Sequence, residues 1–113
     1  VINIAYKVLT LDEFVALQAG TFIGAAVDQA DGYIHLSTAS QLTETVTKHF
    51  AGVNDIIIAA VDLNAFGNHI RWEPSRSGAL FPHLYGPMNW VDVIAHCALA
   101  WEADGSVRLP QPI

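Results

Sequence analysis

Arg71-Trp72-Glu73-Pro74-Ser75-Arg76-Ser77-Gly78-Ala79-Leu80-Phe81-Pro82-His83-Leu84-Tyr85-Gly86-Pro87 is the stretch that decides the reading of this chain. It is polar and aromatic inside a sequence that is 52% apolar. It reads as strand, loop, strand. Residues two apart in a strand share a face. Arg71 and Glu73 therefore point one way and Trp72 the other, and His83 and Tyr85 point one way and Leu84 the other. A loop pinned by Pro74, Gly78 and Pro82 joins the two halves. Charged and aromatic groups lined up on both arms read as the wall of a site more than as a plain core hairpin. Trp72, on the opposite face, is expected in the core.

Working outward, the 113 residues are expected to form one domain over 1–113 with a substantial core. Only 14% are charged, which argues against disorder. A net charge of −6 argues against nonspecific nucleic-acid binding and against docking on anionic membranes. No secretory signal or spanning run is legible, and a cytoplasmic protein is the expectation. The single Cys97 lies in an apolar run and reads as a buried thiol without an internal disulfide. An anionic ligand would have to use a local pair of cations, for which Arg71 and Arg76 are the candidates.

Before the hairpin, Ile4 to Leu9 reads as a strand broken in pattern by Lys7. Thr10 with Glu13 is a capping box opening a helix with an apolar stripe of Leu11, Phe14, Val15 and Leu17, and Gly20 ends it. Thr21 to Gln29 reads as loop, and Asp31-Gly32 as a turn. Tyr33 to Ser37 alternates: Ile34 and Leu36 face the core, and Tyr33, His35 and Ser37 face away. Thr38, with Gln41, opens a second helix whose stripe is Leu42, Val46, His49 and Phe50, so His49 reads as a packing residue. The run Asp55 to Val61 is a strand buried on both faces. After the hairpin, Val93 to Trp101 is a long strand. Ala103-Asp104-Gly105-Ser106 is a turn that returns Val107 to Leu109 along an edge. Late strands and early helices indicate α+β architecture with a mixed or largely antiparallel sheet.

Three strands thus carry polar residues at period two: His35 with Ser37, Arg71 with Glu73, and His83 with Tyr85. Converged, they would place two imidazoles, a phenol, a hydroxyl, a carboxylate and a guanidinium around one ligand. That set suits acid–base chemistry or the holding of a sugar phosphate. A sheet with one wet face produces the same alternation, so the pattern also fits an ordinary surface. No Cys-x-x-Cys or His-x-x-x-His spacing is present, and no metal site is expected. No nucleophile elbow or phosphate loop occurs.

Five segments, Tyr6-Lys7-Val8-Leu9-Thr10, Asp31-Gly32-Tyr33-Ile34-His35-Leu36-Ser37-Thr38, His49-Phe50-Ala51-Gly52, Arg71-Trp72-Glu73 and Leu80-Phe81-Pro82-His83-Leu84-Tyr85-Gly86-Pro87, occur in this order. Together they resemble a family of small bacterial proteins known as domain of unknown function 952, over about Tyr6 to Leu99. The resemblance implies an ADP-ribosyltransferase-like fold: two small, mostly antiparallel sheets with two short helices around a cleft for a nicotinamide dinucleotide. It implies cleavage of the ribose–nicotinamide bond of NAD, with NAD as substrate and no tightly bound cofactor. In that reading Glu73 stabilises an oxocarbenium-like transition state, and His83 serves as general acid or base. His35 and Ser37 bond the ribose or amide, Tyr85 stacks on nicotinamide, and Arg71 or Arg76 meets the pyrophosphate. Transferases of this fold carry Arg or His on the first strand, where this chain has Lys7. The same cleft could serve a noncatalytic nucleotide-binding module, and Trp90 and Trp101 would be contact residues in a partner-binding domain.

Overall fold

The computed structural model describes residues 3–75 and 78–111 of the chain. Its strands are β1 (Ile4–Leu9), β2 (Ile34–His35), β3 (Ile57–Asp62), β4 (Ile70–Pro74), β5 (Leu80–Leu84) and β6 (Val93–Ala98). Its helices are α1 (Leu11–Ala19), α2 (Ala26–Asp31) and α3 (Ala39–His49), with 3-10 turns over Leu63–His69 and Trp90–Asp92. Two three-stranded antiparallel sheets result, ordered β1-β3-β6 and β2-β5-β4. The α+β class read from the sequence is the observed one.

The central strand β3 is apolar throughout because both its faces are covered: Ile58, Ala59, Ala60 and Val61 are fully buried. One face of the first sheet packs on α3 through Tyr6, Val8, Leu42, Val46 and Ile58. The other packs on α1 and on the second sheet through Leu9, Leu17, Ile34, Leu36, Val61 and Leu84. Burying each of these large side chains contributes about 1.5–3 kcal/mol. The sheets are stitched at one isolated bridge, where Tyr6 N–H donates to Ser37 O at 2.8 Å and Ser37 N–H to Tyr6 O at 2.9 Å.

The capping box of α1 is present as read: Glu13 N–H donates to Thr10 Oγ1 at 3.2 Å, and Thr10 N–H to Glu13 Oε1 at 2.9 Å. Gly20, at φ 79°, closes the helix in the left-handed region open to glycine. Of the α1 stripe, Phe14 and Leu17 are buried, whereas Leu11 and Val15 are exposed. At α3 the Gln41 side chain accepts from Thr38 N–H at 3.0 Å. His49 is exposed rather than packed, because it lies in the last turn, beyond the buried Leu42 and Val46.

Other expectations are corrected. The stretch 21–29 is not all loop: Ala26 to Asp31 form α2, a third helix beside the two expected. Its six residues are too few to show a helical period, and its cap is the Asp28 carboxylate accepting from Ala25 N–H at 2.8 Å. The strand expected over Tyr33–Ser37 shortens to Ile34–His35, because Ser37 turns away to the first sheet. β6 ends at Ala98, and the expected return strand is a single bridge, Trp101 to Val107. Trp72 is 44% exposed. It lies opposite Arg71 and Glu73, as read, and shares the face of Pro82 and Leu84, but β4 is the edge of its sheet; Pro74 and Pro82, expected in the loop, lie within β4 and β5.

Candidate functional site

Register builds the site. His35 lies opposite His83, and His83 opposite Arg71, so one row across β2, β5 and β4 carries three polar side chains on the face away from Leu84. Glu73, two residues after Arg71, and Tyr85, two after His83, extend that face. His83 Nδ1 is 2.8 Å from Glu73 Oε1, and Tyr85 Oη donates to the same oxygen at 2.7 Å. No hydrogen bond to Glu73 Oε2 is found among the described residues. The Arg71 guanidinium lies 4.9 Å from the centroid of the Tyr85 ring, a cation–π contact. Tyr33 lies over the group: its ring stacks on His83 at 4.1 Å between centroids and 25° between planes, with His35 at 4.6 Å and Tyr85 at 5.1 Å.

The electrostatics follow from these contacts. Hydrogen bonds from Tyr85 and then His83 hold the Glu73 carboxyl below its ordinary value. It is therefore a carboxylate at neutral pH, and His83 donates through Nδ1–H. The same hydrogen bond to Glu73 raises the Tyr85 phenol, so Tyr85 stays protonated as the donor. Tyr33 is raised by partial burial and by the charges of Asp31 and Glu73.

Behind His35 stands a group that the sequence reading missed. Asp28 is buried at 2% exposure and Lys7 at 4%. Lys7 Nζ meets the Asp28 oxygens at 2.8 and 3.1 Å. Asp28 Oδ1 also accepts from His35 N–H at 3.0 Å and lies 2.7 Å from His35 Nδ1. Burial alone would raise the Asp28 carboxyl, but the hydrogen bond from His35 and the charge and hydrogen bond of Lys7 outweigh it and bring it to about 2. Gly24, at φ 103°, makes room for this: a Cβ there would sit 3.0 Å from Asp28 Cβ. On the open side, Asp31 Oδ2 is 3.0 Å from His35 Nε2. A lysine in the middle of the apolar strand Ile4–Leu9 was the available signal, since a buried ammonium requires a carboxylate close by.

Of the residues expected at the site, the structure brings His35, Arg71, Glu73, His83 and Tyr85 onto one face. Ser37 is not with them: it is buried at 4% exposure, and its hydroxyl is 2.9 Å from Thr45 Oγ1 on α3. Arg76 lies outside the described residues. Tyr33, read only as sharing the His35 face, is the ring that joins the cluster. Beside it opens a cavity of about 370 Å³ lined by Phe22, Asp28, Tyr33, Ile34, Leu84 and Met88. Asp28 and Tyr33 belong to both cavity and cluster; Glu73 is in the cluster only. Among the described residues no group of three or more His, Cys, Asp or Glu side chains is placed to hold a metal ion. No helix of the described residues is long and apolar enough to cross a membrane.

The crystal structure of protein CC0527 from Caulobacter crescentus is similar at 42% identity and a TM-score of 0.84, covering 95% of each chain. The solution NMR structure of CC0527 matches at 43% identity and a TM-score of 0.77, covering 91% of this chain and 90% of that one. No curated protein matches the chain. The family described as Protein of unknown function (DUF952) matches residues 8–96, from within β1 to within β6, and the chain belongs to that family.

Proposed function

We propose that the Glu73 face is the reaction centre of an enzyme that cleaves the ribose–nicotinamide bond of NAD, on an ADP-ribosyltransferase-like architecture. The observation that carries this reading is the state of Glu73. Its Oε1 is held by Tyr85 and His83. A carboxylate fixed by two donors suits a sugar that develops positive charge at its anomeric carbon. Arg71 supplies the only cation at this face among the described residues, and it suits a phosphate of the same ligand. Tyr33 and Tyr85 offer ring faces to a planar base. Two small antiparallel sheets packed through an apolar core support the architecture. Lys7 has no part in ligand contact, since Asp28 engages it.

A second reading is a noncatalytic module for a small ligand. The cavity favours it: about 370 Å³ accommodates a ring or a sugar but not a whole dinucleotide, which would have to lie across the open face. One experiment separates the two. Wild type and Glu73→Gln are titrated with NAD, ADP-ribose and nicotinamide by NMR, and nicotinamide release is followed by chromatography. Release by wild type, lost in Glu73→Gln, is the expected result. Shifts at Tyr33, Arg71 and His83 without release would establish the binding module. No shifts at millimolar ligand would overturn both.

A further inference from the structure

We infer that Asp28 is a positioning residue for His35: it fixes the imidazole with its proton on Nδ1 and presents Nε2 to the open face of the second sheet. The inference rests on reading that face as a site, but its central measurement does not need turnover. The argument begins with an oddity of composition. Only five Lys and Arg residues occur in the chain, and one of them, Lys7, is buried. Desolvating an ammonium and a carboxylate together is costly, and a pair of apolar side chains would often serve stability as well. The pair therefore calls for a use besides packing.

The geometry supplies that use. Asp28 gathers donors from three segments: Lys7 on β1, Ala25 N–H ahead of α2, and both the backbone and the ring of His35 on β2. An ionised carboxylate has acceptors only, so the 2.7 Å contact with His35 Nδ1 requires a proton on that nitrogen. The second bond, from His35 N–H to the same oxygen, fixes the backbone as well as the ring. Lys7 balances the charge, so His35 is held by a carboxylate whose net contribution to the site is close to neutral. The ring side chain is 32% exposed, whereas Asp28 and Lys7 are sealed behind it. Asp31 is the other acceptor near the ring, at Nε2, and its side chain is 45% exposed. With the proton on Nδ1 the neutral ring offers Nε2 as an acceptor, and a ligand donor approaching it displaces Asp31 and leaves the Asp28 contact untouched. The positively charged Arg71 and the Glu73–His83 pair lie on the neighbouring strands of the same face and complete the charged surroundings.

The test uses the full chain with ¹⁵N-labelled histidine and long-range ¹H–¹⁵N correlation at about pH 8, above the ordinary imidazole range. His35 is assigned by loss of its signals in His35→Gln. Wild type is expected to show a protonated Nδ1. Lys7→Met/Asp28→Leu removes both charges together and is expected to fold, while His35 reverts to the Nε2–H tautomer favoured by free imidazole. Asp31→Asn is expected to keep Nδ1 protonated. Should the double variant not fold, Asp28→Asn is read in its place, and a mixture of tautomers is expected because an amide can accept or donate. A protonated Nδ1 that persists unchanged in the folded Asp28 variants overturns the inference, as does its loss in Asp31→Asn. With NAD as probe, the double variant is expected to lose about tenfold or more in turnover with KM little changed. Absence of turnover in wild type would remove the proposed function, while the ring measurement still decides the role of Asp28.

Discussion

Asp28→Asn puts the buried ion pair to a quantitative test. In the folded chain Asp28 titrates at about 2, against an ordinary 3.8. A depressed carboxyl contributes stability above its unfolded value, and that contribution is lost as pH falls through its folded value. The difference of about two units, at about 1.4 kcal/mol per unit, is worth about 2–3 kcal/mol near neutrality. The substitution also strands the Lys7 ammonium, and breaking one side of a buried pair costs about 3–5 kcal/mol. A loss of about 3–5 kcal/mol is therefore expected at about pH 7, a large share of the roughly 5–15 kcal/mol that holds a typical domain. Urea unfolding followed by Trp fluorescence measures it. Repeated at falling pH, the gap between wild type and variant should begin to shrink below about pH 4 and be smaller by about 2 kcal/mol at about pH 2, where wild-type Asp28 is about half protonated. Other carboxyls titrate in both and cancel in the difference. A gap below about 1 kcal/mol at neutral pH, or one that stays constant down to about pH 2, would refute the assignment of Asp28 and Lys7 as a coupled buried pair.

Other substitutions probe the remaining parts. Trp72→Ala should shift the melting temperature little, with a cost within about 1 kcal/mol, because Trp72 is exposed at a sheet edge; a loss of several kcal/mol would show packing that this structure lacks. Leu84→Ala removes a fully buried side chain beneath His83 and should cost about 2–5 kcal/mol in chemical denaturation. Glu73→Gln should lower the Tyr85 titration toward the ordinary phenol value of about 10, since the charged acceptor that raises it is replaced by a neutral amide; phenolate absorbance against pH reads this, and an unmoved curve would argue against the Tyr85–Glu73 bond.

Legibility in the sequence followed the physics of each element. Thr10 and Glu13 announce α1 because a capping box is a local exchange between residues three apart, and it was found as read. β3 was legible because burial on two faces leaves an unbroken apolar run. The Arg71–Tyr85 hairpin was legible because period two states which side chains share a face. Period two does not state which face is wet, nor where the core ends, so Trp72 was misplaced. Ser37 fell out of the set for a related reason: alternation assumes that the strand continues, and this one leaves its sheet after His35 to bridge Tyr6. Asp28 was beyond local reading altogether. Its place is set by contacts with Lys7, 21 residues away, and with His35 across a turn.

The separation of strands along the chain orders the assembly of the candidate site. β4 and β5 form a hairpin, so Glu73, His83 and Tyr85 can meet as soon as a short segment has left the ribosome. β1 has no strand partner until β3 is made, and the first sheet is not closed until β6 follows. Lys7 therefore spends most of synthesis without the strands that seal it in, and β2 joins its own sheet only when β5 appears. The contacts of the carboxylate half are local in sequence, whereas those of the imidazole set by Asp28 need long-range pairings, which close more slowly. Refolding followed at His83 and at His35 should show two phases, the first belonging to the hairpin and the second to the closure of the sheets.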